Sequence, residues 1–325
     1  MHIKAKTLDD LLRKCIEKLI TNGYQIQPSK GACKELFGVI LELSNPRARL
    51  SQTESKGVFF SCLGELFWYL SRSDELAFIQ YYIPHYHLYS DDKKILNGAY
   101  GPRIFNMNGI DQYKTVRELL AKKPDSRQAV IQIFQAKDIT IETEDVPCTC
   151  LLQFTIRNGL LHMHTSMRSN DVFVGLPHDI FAFTMLQEIL ANDLSVGLGT
   201  YKHSVGSLHL YNDDISPAQT YLSEGWQDIY SMPVMPAKNV WGSISQILEA
   251  EEKIRKGESL DITKIKLDNY WMDLLRLLKI FSVSKGKDLR TVVQLKNEMS
   301  SPVYEQYIRK REKRMQDRNK QKAFI

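Results

Sequence analysis

Residues 148–171, CTCLLQFTIRNGLLHMHTSMRSND, hold two apolar runs separated by Asn158-Gly159. Asparagine followed by glycine accepts positive φ at both central positions of a two-residue turn, and between alternating strands such a turn forces an antiparallel hairpin. A chain with this hairpin at its centre cannot be a purely parallel doubly wound sheet. Further strands are expected over QAVIQIF (128–134), YKHSVGSLHLY (201–211) and FGVILEL (37–43), the last a buried strand stopped by Asn45-Pro46. Between them, TLDDLLRKCIEKLI (7–20), LGELFWYLSRS (63–73), TVRELLAKKPD (115–125) and DIFAFTMLQEILAND (179–193) have apolar residues at helical spacing. Thr7 or Asp9 can cap the first helix, Pro124 ends the third, and the fourth is expected to start at Asp179. The predicted class is α+β, a large mixed β-sheet flanked by helices.

After about Trp241 the pattern becomes wholly helical, with Gly257 and Gly286 as expected breaks. The expected organisation is one domain over 1–240 and a helical extension over 241–325. Charge follows the same division. The net charge is +5, yet residues 309–322 alone hold eight Lys/Arg against two acids, so the rest is close to neutral. A near-neutral body excludes a general nucleic-acid binder, and leaves the basic tail as a candidate for weak nucleic-acid contact. Hydrophobic residues at 43% suffice for a core, and no apolar run nears the ~18 residues of a membrane span. MHIKAKTLDD lacks the apolar centre of a signal peptide, and five unevenly spaced cysteines do not suggest a disulfide framework. Together these predict a cytoplasmic protein without membrane contact.

Taken singly, the chemistry-bearing residues say little. Cys148 follows Pro147 at a strand start, where a cysteine commonly serves as a small hydrophobe; as a nucleophile it would need cationic neighbours. Cys148-x-Cys150 has no second ligand pair at zinc spacing, so no metal is expected. His162-x-His164 reads as a cross-strand pair, and Asp179 by itself reads as a helix N-cap. No glycine-rich phosphate or dinucleotide loop is present.

Order and spacing are more specific. Glu65 in GELFWYL, Tyr100 in AYG, IDQ at 110–112, Arg127 in PDSR, Cys148, Arg168-Ser169-x-Asp171, Gly175, Asp179 and His209-x-Tyr211 follow one another as in the thymidylate synthase family. The resemblance covers roughly residues 55–215 and runs without a gap from Cys148 to Tyr211. It implies a thymidylate synthase-like fold and a homodimer. Cys148 would add to C6 of a pyrimidine nucleoside monophosphate, activating C5 toward the carbon of 5,10-methylenetetrahydrofolate. Arg168, Ser169 and the partner subunit's Arg127 would bind the phosphate, and His209 and Tyr211 the sugar. Glu65 would order water and move protons, Tyr100 would position the C5 proton, and Asp171 and Gly175 would meet the folate.

Asp179 stands where thymidylate synthases have an asparagine matched to uracil. A carboxyl accepts from the cytosine N4 amine and can share a proton with N3, which points to a cytidine nucleotide. Thr149 after Cys148, Met167 before Arg168, and Ser207-Leu208-His209 also resemble the deoxycytidylate hydroxymethylase branch. Hydroxymethylation of CMP or dCMP is therefore the expected function. The alternatives are a thymidylate synthase converting dUMP, or a non-catalytic nucleotide- or RNA-binding member of the fold. YYIPHYHLY (81–89) replaces the family's paired tryptophans. Gln128 follows Arg127 where a second arginine is common, making Arg47, Arg49 and Arg103 candidates to compensate.

Overall fold

The computed structural model describes residues 1–286 and 288–323, with side chains through residue 317. The chain divides into two compact units, Met1–Ser231 and Met232–Ile325. In the first, strands β1 (His2–Ala5), β2 (Tyr24–Ile26), β3 (Cys33–Leu43), β4 (Val130–Gln132), β5 (Thr149–Arg157), β6 (Leu160–Asp171) and β7 (Gly197–Tyr211) form one sheet. The spatial order is β1-β3-β7-β6-β5-β4, with β2 also on β3. β1–β3 and β6–β7 are parallel and the other pairs antiparallel, so the sheet is mixed as expected. The β5–β6 turn is the anticipated one, with φ of 51° at Asn158 and 71° at Gly159.

Helices α1 (Leu8–Asn22), α2 (Phe59–Leu70), α3 (Leu76–Tyr82), α4 (Tyr100–Phe105), α5 (Gln112–Lys122), α6 (Gly175–Asp193) and α7 (Ile215–Ser223) complete this unit. Thr7 is the cap of α1, its side chain accepting from Asp10 N at 3.1 Å. Nearly every α6 residue from Ile180 to Ala191 is buried, because the helix lies between the sheet and α2. A helix apolar on all sides can only be stable when covered on all sides.

Three expectations need correction. Helix α6 begins at Gly175, four residues before Asp179, so Asp179 is not its N-cap. The turn is instead tied by Asp171, whose Oδ1 accepts from Phe173 N (2.8 Å) and Val174 N (3.2 Å). β3 is not buried throughout: Phe37 is 82% exposed and Ile40 42%, two residues that flank the stretch around Gly38, which sits at φ 70°. The QAVIQIF strand shrinks to Val130–Gln132. β1 and β2, too short to carry a period, exist through pairing with β3.

The second unit contains α8 (Val240–Arg255), α9 (Asn269–Lys285), α10 (Leu289–Asn297) and α11 (Glu305–Ala323). Trp271, Leu274, Leu275, Leu278 and Ile280 of α9 are its buried centre. Gly257, at φ 75°, follows α8, and Gly286 follows α9, so both expected breaks occur. The basic tail is the helix α11, whose side chains beyond residue 317 lie outside the described ones. Within it Arg309 pairs with Glu305, and Arg311 donates to Ser284 Oγ at 2.7 Å. Among the described residues no helix is long and apolar enough to cross a membrane.

Candidate active site

The hairpin brings the start of β5 beside the end of β6. Arg168 N donates to Cys148 O at 2.9 Å, fixing the two residues side by side. A register shift between Thr149 and Leu151 breaks the ladder there, a device that re-aims side chains next to a site. The Arg168 guanidinium turns back onto the segment carrying the thiol, with Nε donating to Pro147 O (3.0 Å) and Nη2 to Val146 O (2.8 Å). Burial pushes the Cys148 thiol up. Arg168 and Lys30 draw it down, while Asp179 and Asp145 push it further up.

Parallel pairing of β6 with β7 aligns Ser169 with Ser207 and Asp171 with His209. Ser169 Oγ lies 3.4 Å from His209 Nδ1, and the His209 and Tyr211 rings meet edge to face at 5.0 Å. Burial lifts the Tyr211 phenol to about 12. Strand ends and helix starts converge here because the chain leaves the sheet at the same edge after β6 and β7.

Asp179 enters from α6, half-buried, and Glu65 from α2, buried. Burial first, then the negative charge of Glu65, pushes the Asp179 carboxyl well above the usual carboxylate range; a hydrogen bond from Asn170 opposes this. Both effects favour the protonated form of the acid. Glu65 Oε1 accepts from Tyr86 OH (2.7 Å) and from Tyr69 OH (2.9 Å), one turn along α2. Tyr100 OH accepts from Thr149 N (3.2 Å) and Thr149 Oγ1 (3.0 Å), and its ring lies near-parallel to Phe183 at 6.2 Å. Burial pushes the Tyr100 phenol up, and the charges of Asp179 and Cys148 add to this. The result is a half-buried thiol that feels two cations and a carboxyl biased toward its protonated form. Close by is a second carboxyl held by two phenols.

Of the residues singled out in the sequence, Cys148, Arg168, Asp179, Glu65 and Tyr100 share this one place. Ser169, His209 and Tyr211 lie on the adjoining strand ends, and Asp171 and Gly175 form the turn into α6. Arg127 is elsewhere, exposed between α5 and β4, where its carbonyl accepts from Gln153. Arg47, Arg49 and Arg103 do not compensate. The first two bind Glu188, with Arg49 and Glu188 fully buried, and Arg103 forks onto Asp138 at 2.6 and 2.8 Å. Buried carboxylates hold those charges away from the thiol.

Sequence reasoning missed several participants. Lys30 lies 4.1 Å over the Tyr89 ring and its charge reaches Cys148, yet nothing in its loop marks it. Lys56, buried 3.5 Å over the Phe173 ring beside Asp171, falls to about 8, mainly through burial. Tyr69 was detectable as the residue one turn after Glu65. Tyr86 sits in the segment noted only for lacking tryptophans. His162 and His164 do pair across strands, with Thr200 (2.9 Å) and Ser204 (2.7 Å). Among the described residues no group of three or more His, Cys, Asp or Glu could hold a metal.

Residues 11–271 match the thymidylate synthase family. The chain is 30% identical over 232 residues to the deoxyuridylate hydroxymethyltransferase of Bacillus phage SP01, covering 67% of this chain and 60% of that protein. It is 30% identical over 212 residues to the deoxyuridylate hydroxymethyltransferase of Delftia phage PhiW-14, covering 59% of this chain and 58% of that protein. It thus spans about three-fifths of the length of either relative.

Proposed function

Since the chain belongs to the thymidylate synthase family, we propose that it attaches a one-carbon unit to C5 of a cytidine monophosphate and releases it as hydroxymethylcytidylate. One observation carries the choice of base: Asp179, half-buried and with its carboxyl pushed well above the usual carboxylate range, shares the site of Cys148. A neutral carboxyl offers one O–H and one C=O, the complement of cytosine N3 and its amine.

The residues suit the task. The Cys148 sulfur adds to C6, forming a C–S bond and pushing electrons to C5. The thiol is protonated when the site is at rest, and Arg168 and Lys30 lower the cost of its ionisation. Methylenetetrahydrofolate would supply the methylene carbon that C5 captures, and would leave as tetrahydrofolate once both of its bonds from nitrogen to that carbon have broken. Tyr100, tied to Thr149 and within reach of the Cys148 charge, would help position the departing C5 proton. Glu65, with its two phenols, orders the water whose oxygen ends on the methylene carbon. The sulfur leaves C6 in the last step. Ser169, Arg168 and His209–Tyr211 would take the phosphate and sugar, and a second copy of the chain would bring Arg127 to the phosphate.

The α6 turn offers the folate a seat. Asp171 and buried Lys56 put opposite charges at the α6 turn, and a side chain on Gly175 would lie 3.2 Å from Asn170 Oδ1 and 3.8 Å from Asp179 Oδ2. Glycine keeps that surface low.

A second reading is hydroxymethylation of deoxyuridylate, favoured by the activity for which the two relatives are named. Incubating the protein with CMP, dCMP, UMP and dUMP plus methylenetetrahydrofolate, followed by mass spectrometry, separates them. A gain of CH2O on a cytidylate is expected. The same gain on dUMP alone supports the second reading, and a gain of CH2 on dUMP would make the protein a thymidylate synthase. Asp179→Asn should move preference toward uracil by about a hundredfold.

A further inference from the structure

Behind Asp179 lies a buried polar chain that the reaction does not call upon. Asn170, at 3% exposure, places Nδ2 2.9 Å from Asp179 Oδ2, 2.9 Å from Met167 Sδ and 3.3 Å from His203 Nε2. Its Oδ1 is buried with no hydrogen-bond partner among the described residues. A thioether sulfur has no proton to give, so the amide atom facing Met167 must be the nitrogen. His203 imposes the same orientation. Tyr201 OH donates to Thr165 Oγ1 (3.2 Å) and receives His203 Nδ1–H (2.7 Å), leaving Nε2 as an acceptor. Burial takes this imidazole down to about 3, so Nε2 carries no second proton.

The amide thus turns its donor toward Asp179 even though its own oxygen goes unpartnered, an arrangement costly enough to need a reason. We propose that Asn170, oriented by Met167 and His203, is a positioning residue for base selection. By donating to Oδ2 it makes that oxygen the acceptor for an exocyclic amine and leaves Oδ1 to present the acid hydrogen to the ring nitrogen. Cytosine then meets a donor at N3 and an acceptor at N4. Uracil meets donor against N3–H and acceptor against O4. Without Asn170 the acid hydrogen can sit on either oxygen, and one carboxyl pairs with both bases. This rests on the reading that Asp179 recognises the base.

The test is the ratio of kcat/KM for dCMP over dUMP within one protein preparation, so that any loss of folded enzyme cancels. Asn170→Leu should lower the ratio by about tenfold, chiefly through a gain on dUMP, with KM for the folate unchanged. His203→Phe, one residue further from the base, should lower it in the same direction and carries the test should the leucine variant not fold. Calorimetric binding of the two nucleotides should shift in parallel. If Asp179→Asn changes the ratio while Asn170→Leu and His203→Phe both leave it unchanged, the positioning role is refuted and the base-reading role stands. If Asp179→Asn also leaves it unchanged, both fall.

Discussion

Acidification should expose how tightly His203 is kept neutral. Its imidazole lies at about 3 in the fold against an ordinary 6.5, and it is fully buried. Because the folded value is the lower one, the unfolded chain takes up the proton first as pH falls. Stability is therefore lost on descending through 6.5 toward 3 and is fully present above 6.5. Going from pH 7 to pH 4.5, the unfolded chain gains about 2.5 kcal/mol from this one group, since each unit of unmatched protonation is worth about 1.4 kcal/mol. Other groups titrate in the same window, so the informative quantity is a difference. Urea unfolding of the unaltered protein and of His203→Gln at both pH values should show the unaltered protein losing about 2.5 kcal/mol more than the variant. Equal losses would mean that His203 accepts a proton within the fold. That would remove the acceptor that orients Asn170.

Two further outcomes follow from buried and half-buried charges. Arg168→Ala removes the principal cation beside Cys148, so iodoacetamide should alkylate that thiol about fivefold more slowly at pH 8, a neighbouring charge at a solvated site being worth about 1 kcal/mol. Peptide mass spectrometry in a Cys150→Ser background reads this, and an unchanged rate would contradict the assigned electrostatics. Glu188→Ala leaves the Arg49 guanidinium buried without its counter-charge, which should cost about 3–5 kcal/mol in urea unfolding. A loss below about 1 kcal/mol would show that Arg49 reaches water.

Much of this protein was determined within short stretches of its sequence. The β5–β6 hairpin follows from Asn158-Gly159 between alternating strands, and the α1 cap from Thr7, because both depend on residues within one turn of each other. The order Cys148, Arg168, Ser169, His209, Tyr211 was likewise enough to single out a candidate site, and the fold places those residues at neighbouring strand ends. Tertiary structure decided what Asp179 is. In its own stretch it looked like a cap; α6 starts earlier, and what raises its carboxyl is burial in the folded site first and then the charge of Glu65 on another helix. Tertiary structure also gave Arg47, Arg49 and Arg103 to buried carboxylates, and brought His203 on β7 to Asn170 on β6. Turn and helix preferences are local energies that a short segment can encode. Desolvation and charge coupling exist only between groups that folding brings together from distant parts of the chain.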